Sequence, residues 1–229
     1  MKSIIQFTLL LAVMAFGSQV TAQEGTIILE ISDVKAEGDA AQFAEMMRGT
    51  QTEVFYRGEE SAVKMNMMGG MVNIKMHQRQ AEGMDMLLDA MGQKIWVNSP
   101  PAELMKQKMS APEMDITYDK SDTKTIAGFD CYKMMATIDG PQGESQLTGY
   151  ITEDLKIDAQ VMQGIDMSQF AGFPLEYTMV AGPVEMTITT KEFSKEIADA
   201  SVFEINTSGY QKMSMEELQN MAGGMGFGF

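Results

Sequence analysis

Between Val63 and Met76 the chain alternates apolar and polar side chains, turns through two adjacent glycines, and alternates again. Val63, Met65 and Met67 are interleaved with Lys64 and Asn66, then Gly69-Gly70 intervenes, and Val72, Ile74 and Met76 are interleaved with Asn73, Lys75 and His77. A period of two is the spacing of a strand, since a helix would scatter these side chains around its axis. A Gly-Gly turn predicts the pairs Met67 with Val72, Met65 with Ile74 and Val63 with Met76, all six on one face. Lys64 then faces Lys75 on the other side, an unfavourable pairing that points to solvent there.

The same period recurs along the chain. Thr26 to Val34 puts Ile27, Leu29 and Ile31 on one face, and further strands are expected at 83–90, 94–98, 115–118, 129–138, 146–151, 175–180 and 184–193. Turn signals such as Asp139-Gly140-Pro141 and Ala181-Gly182-Pro183 separate them. Short spacings without long helices predict one antiparallel sheet with meander connections, and the roughly ten or eleven strands expected make a sheet that tends to curl or close. Three short helices interrupt it. Asp39 is a cap for 40–48, Ser99 followed by Pro100 at the first helical position opens a helix ending near Met109, and Ser214 with Glu217 forms a capping box for 215–222. Residues 223–229 are expected to be a Gly-rich flexible tail.

Lys2, the apolar run from Ile4 to Phe16 and Val20-Thr21-Ala22 have the pattern of a secretory signal peptide cleaved after Ala22. The apolar run is shorter than the roughly 20 residues of a membrane span. The expected organisation is therefore a signal peptide at 1–22 and a single domain at 23–222, in a periplasmic or secreted protein without the N-terminal Cys of a lipoprotein. Loss of Lys2 leaves 16 basic side chains against 32 acidic ones. That excess of negative charge repels phosphate backbones and anionic headgroups, which argues against nucleic-acid binding and stable membrane association. The preceding Gly-Met-Gly-Phe-Gly also makes the terminal Phe229 a poor end for a membrane-barrel strand. Cys131 is the one cysteine, so no intramolecular disulfide is available and stability must come from burial.

Three blocks, Thr125-Ile126-Ala127-Gly128-Phe129-Asp130-Cys131-Tyr132-Lys133, Gly149-Tyr150-Ile151-Thr152-Glu153-Asp154-Leu155 and Gly172-Phe173-Pro174-Leu175-Glu176-Tyr177, are separated by short gaps. In that order they resemble the family of exported Bacteroidetes-type proteins known as domain of unknown function 4412. The resemblance spans about residues 26–213 and includes Phe203-Glu204-Ile205 and Gly209-Tyr210. It implies a half-barrel like that of periplasmic lipoprotein carriers (LolA/LolB-like), a strongly curved antiparallel sheet wrapped around short helices. It implies no catalytic residues.

Side-chain chemistry narrows the function further. His77 is the single histidine; it falls on the polar face with Lys75 and Asn73, and is expected to be solvent-exposed there rather than catalytic. Cys131 shares a face with Phe129 and is expected to be a small buried hydrophobe. Adjacent carboxylates at Glu59-Glu60 and Glu216-Glu217 fit solvation and a helix start better than acid/base catalysis. No calcium loop, phosphate loop or dinucleotide fingerprint occurs. These readings predict a non-enzymatic protein with no cofactor.

Methionine is the compositional anomaly, with 25 in the chain, of which Met1 and Met14 lie in the signal segment. Thioethers are soft donors, so one reading is a methionine-type copper(I) buffer. The alternation around Met65, Met67 and Met76, shared with Val63, Val72 and Ile74, favours a core or a cavity wall, and flexible methionines suit varied lipid-like ligands. The expected apolar ligand face comprises Met65, Met67, Val72, Ile74, Met76, Met84, Met86 and Trp96, with a hydrophobic or lipid-like ligand, or an acyl chain, as partner. A structural or stress-related envelope protein whose sheet is filled by its own helix is a further alternative.

Overall fold

The computed structural model describes residues 24–38, 40–79, 81–111, 113–140, 143–155, 157, 165 and 167–224. The expected signal segment, Asp39 and residues 225–229 lie outside them. The strands are β1 (Glu24–Ala36), β2 (Gln51–Arg57), β3 (Glu60–Met67), β4 (Val72–Arg79), β5 (Gly83–Ala90), β6 (Gln93–Ser99), β7 (Met114–Ile126), β8 (Phe129–Gly140), β9 (Gly143–Thr152), β10 (Phe173–Ala181), β11 (Val184–Ser194) and β12 (Gln211–Met213). They form one curved, unclosed sheet in the order β12-β6-β5-β4-β3-β2-β1-β11-β10-β9-β8-β7. Two meanders, β1 to β6 and β7 to β11, meet where β1 pairs with β11. Every pairing is antiparallel except the short parallel contact of β12 with β6.

The hairpin expected from the alternation forms in the expected register. Met67 faces Val72, Met65 faces Ile74, Val63 faces Met76, and Lys64 faces Lys75. Gly69 and Gly70, at φ 67° and 90°, occupy the left-handed centre of the turn, and the Met71 amide donates to the Met68 carbonyl at 3.4 Å.

The sheet differs from the sequence expectation in three strands. β2 and β12 bring the number to twelve, and β7 is far longer than 115–118. In β7 the run Asp119-Lys120-Ser121-Asp122 breaks the alternation, and the pairing with β8 slips between Asp119 and Thr123. Charge, exposure and a bulge on a free edge strand all discourage pairing with another chain.

The helices are α1 (Ala40–Met47), α2 (Pro101–Ser110) and α3 (Met215–Gly224). The capping box of α3 is formed: Ser214 Oγ accepts from the Glu217 amide at 3.1 Å, while Glu217 Oε2 accepts from the Ser214 amide at 2.8 Å. α3 continues through Gly223 and Gly224, two residues past the expected stop. α2 begins one residue later than expected, at Pro101, because Ser99 completes β6 instead of capping the helix. The Ser99 hydroxyl is buried without a hydrogen-bond partner.

One main core joins the meanders. Ile27, Leu29 and Ile31 are buried as expected, together with Val54 and Tyr56 of β2, Met134 and Ala136 of β8, and Leu147 and Ile151 of β9. Leu155, Ile165 and Phe170 from the segment between β9 and β10 also enter this core. Cys131 is buried within it, as expected, and burial pushes its thiol up to about 11. Gly149 shows what one motif glycine does: it pairs with Tyr177, and a Cβ there would lie 2.4 Å from the Glu176 carbonyl oxygen and 2.8 Å from the Tyr177 Cβ.

Candidate functional site

Register across β3 to β6 assigns each expected ligand-face residue to a side of the sheet. One transverse row runs Val63, Met76, Met86, Val97, the next Met65, Ile74, Leu88, Ile95, and a third Met67, Val72, Ala90. Met84 lies on the same face, opposite Gln78 and Ser99. Met65, Met67, Val72, Ile74, Met76, Met84 and Met86 are therefore brought together.

Trp96 is not with them. It pairs with Leu87, between Ile95 and Val97, and so points to the opposite face. Its indole N–H donates to Asp85 Oδ1 at 2.9 Å, and Lys212 Nζ sits 4.8 Å from its ring centre. The alternation of Gly83–Ala90 places Leu88 and Ala90 on the apolar face as well, a signal present in the sequence beside Met84 and Met86.

Among the described residues, the packed clusters cover the apolar face at its two sides and do not include its middle. On one side Val63 belongs to the main core and Met76 packs against it. On the other, Ile95 and Val97 are buried by Leu218 of α3, with Met86, Leu88, Met215 and Met221 packed around them. Met65, Met67, Val72 and Ile74 belong to neither cluster and remain half-buried. They form the floor of an apolar strip between α3 and the main core, and the register rows place no ionisable side chain on it.

The reverse face carries the polar chemistry, and here the expectation for His77 is corrected. His77 is only 1 % exposed. Its Nε2 lies 2.8 Å from Glu60 Oε1, its Nδ1 has no hydrogen-bond partner, and its ring packs against Phe203 at 5.8 Å between centres. The cover is the segment around a 3-10 turn, Ala200–Phe203, which buries Phe55 and Ala62 beneath Val202 and Phe203. Lys75 Nζ fastens this segment by donating to the carbonyls of Ser201 and Glu204, at 3.3 and 2.5 Å. The face opposite the apolar strip is thus apolar enough at Phe55, Ala62 and Leu87 to need a cover of its own.

Burial lowers the His77 pKa, against the opposing pull of Glu60, and the nearby Arg79 charge adds to the lowering. Burial alone would raise Glu60, but its hydrogen bonds from Arg57 and His77 outweigh this and leave its pKa lowered. Arg57 Nη2 lies 2.8 Å from Glu60 Oε2, and the guanidinium stacks 4.4 Å from the Phe203 ring centre. Next to it Asp85 accepts from Trp96 and Asn98 and pairs with Arg79 at 3.2 Å. One ring nitrogen of His77 is thus held by Glu60, the other is buried without a hydrogen-bond partner, and the ring packs on Phe203 of the covering segment.

No family model matches the chain. The resemblance to domain of unknown function 4412 accordingly rests on the motif residues themselves. The curated proteins give no match either. Among solved structures, the chain is similar to the lipoprotein LppX of Mycobacterium tuberculosis, at 11 % identity and a TM-score of 0.40, over 77 % of this chain and 88 % of that one. It is similar also to LprF from Mycobacterium bovis, at 12 % identity and a TM-score of 0.32, over 78 % and 88 % of the two chains. At these values the likeness assigns no ligand. Among the described residues, no helix is long and apolar enough to cross a membrane.

Proposed function

We propose that this is an exported, non-enzymatic binding protein that holds an apolar, chain-like ligand such as an acyl chain on the strip floored by Met65, Met67, Val72 and Ile74. The single observation that carries the reading is that these four side chains lie between two packed clusters and belong to neither. Burying an exposed methylene is favourable by about 0.8 kcal/mol, so an extended hydrocarbon covering several such side chains gains substantially from the strip alone. Met76, Met84 and Met86 share its face, and unbranched methionines adjust to different ligands without a fixed shape. Export through a signal peptide cleaved after Ala22, and kinship with domain of unknown function 4412, belong to the same reading.

Replacing Ile74 by Asp should weaken binding of the apolar dye Nile red by more than tenfold, measured by fluorescence titration of protein shown to remain folded by circular dichroism. Asn66→Asp, an exposed change on the opposite side of the same hairpin, should leave it within twofold. Asn66 is a cleaner control than Asn73, whose side chain donates to the Gly70 carbonyl at 2.8 Å. Equal losses in both variants would remove the strip as the binding site.

A copper(I) reading draws on the direct pairing of Met76 with Met86, beside Met65 and Met67 on the same face. It predicts stoichiometric copper(I) uptake that is lost when these methionines become Leu. Nile red binding that survives the same replacements separates the two functions.

A further inference from the structure

The described methionines divide between core and surface: Met47, Met76, Met167, Met179 and Met186 pack against the main core and Met86, Met213, Met215 and Met221 against the cluster under α3, but a further set does neither. Among the described residues only Met84, Met114 and Met134 are buried, whereas leucine, isoleucine and valine dominate the core. Met46, Met71, Met91, Met105, Met109 and Met135 are exposed, and Tyr118 and Val180 are the remaining large exposed hydrophobics among those residues. Met109 is 82 % exposed and Met91 70 %. An exposed thioether adds nothing to core burial, so packing does not account for this set.

Placement sharpens the point. Met71 and Met91 occupy the tips of the β3–β4 and β5–β6 hairpins, joined by a hydrogen bond from the Met91 amide to the Met71 carbonyl at 3.3 Å. These tips lie at the end of the sheet where Met67, Val72 and Ala90 close the apolar strip. Met91 also holds φ at 52°, a left-handed conformation that disfavours an L side chain, so the fold does not select methionine there. Met105 and Met109 stand at i and i+4 on α2.

We propose that the exposed methionines are a sacrificial shield that reduces two-electron oxidants of the hypochlorous acid class and protects the methionines of the apolar strip. The thioether sulfur attacks the chlorine of HOCl, the oxygen leaves as hydroxide, and water then replaces chloride on sulfur. The net products are the sulfoxide, a chloride ion and a proton; sulfur loses two electrons and chlorine gains them. At exposed positions the polar sulfoxide stays in water, whereas on the strip or in the core it would disrupt apolar packing. The one thiol of the chain, Cys131, is buried and does not compete for the oxidant.

The test is graded oxidation of the full mature protein with one to several equivalents of hypochlorous acid, followed by peptide mass mapping. Oxygen should appear first on Met71, Met91, Met105 and Met109, each gaining about 16 Da, while Met65, Met67 and Met134 stay unmodified and the melting temperature is unchanged. In a variant with all six exposed methionines replaced by Leu, Met65 and Met67 should oxidise at a severalfold lower dose. An unchanged dose in that variant would overturn the proposal. Should that variant fail to fold, the wild-type order decides alone, and simultaneous oxidation of strip and exposed methionines would equally overturn it.

Discussion

Phe203→Ala should be the most damaging single truncation on the reverse face of the sheet. Phe203 is buried against Phe55, Ala62 and Val202, its ring contacts His77, and the Arg57 guanidinium lies over it. Truncating a buried Phe costs about 3–5 kcal/mol, which for a domain of this size lowers Tm by roughly 6–20 °C. The Lys75 bonds to the Ser201 and Glu204 carbonyls cannot replace the lost packing, because they hold the backbone of the segment and not its underside. Faster amide exchange at residues 200–204 should accompany the loss. A Tm within 2 °C of the wild type would mean that this segment is not the cover of the sheet's reverse face.

A second large effect should follow from pH, and its sign is set by His77. The folded-state pKa of this group lies below its ordinary 6.5, with burial as the main cause. The unfolded chain therefore binds a proton that the folded protein resists. Stability from this group is fully present above pH 6.5 and falls as the pH drops from there through the lowered folded value. His77 is the one histidine, and the Cys131 thiol is pushed up to about 11, so no other side chain of ordinary pKa titrates between pH 7.5 and 5.5. The groups facing the imidazole are Glu60, Arg79, Asp85 and, through Glu60, Arg57. Glu60, also lowered, adds a further loss of stability only below its ordinary 4.5. Thermal melts should show a fall in Tm from pH 7.5 to 5.5 in the wild type and a flat response in His77→Gln, whose side-chain amide can still donate to Glu60. A wild-type Tm that is level across this range would contradict a buried neutral imidazole.

These two effects mark the limit of what could be read from the sequence. The hairpin of Val63 to Met76 was legible to the residue, because two alternating runs and a glycine turn leave one register that puts all the apolar side chains together. Alternation does not say what lies over the other face. The segment that buries His77 comes from more than a hundred residues further along, as the Lys75 contacts show, and nothing local announces it. β2 escaped notice for the same reason: Val54 faces the main core while Phe55 faces the covered reverse side, so its apolar residues run together instead of alternating. Trp96 lies on the face opposite to the expected one, since a single large aromatic fixes no phase, whereas the buried Ile95 and Val97 around it do. Methionine abundance is visible in the sequence, but its division between core-packed and exposed positions is visible only in the fold.

The division of labour within the sheet follows from the same facts. Leu155, Ile165 and Phe170 of the segment joining β9 to β10 belong to the main core on the C-terminal meander. The N-terminal meander is covered at its far edge by α3 and leaves Met65, Met67, Val72 and Ile74 between the two packed regions.

The measurement that bears most directly on this account is the intact mass, under native conditions and without detergent, of the protein purified from the cell compartment that holds it. An occupied strip predicts a mass above that of the polypeptide alone by the weight of an apolar compound that partitions into organic solvent, and predicts its loss in Ile74→Asp. The bare polypeptide mass, together with a failure of the folded protein to take up added fatty acid, would contradict it.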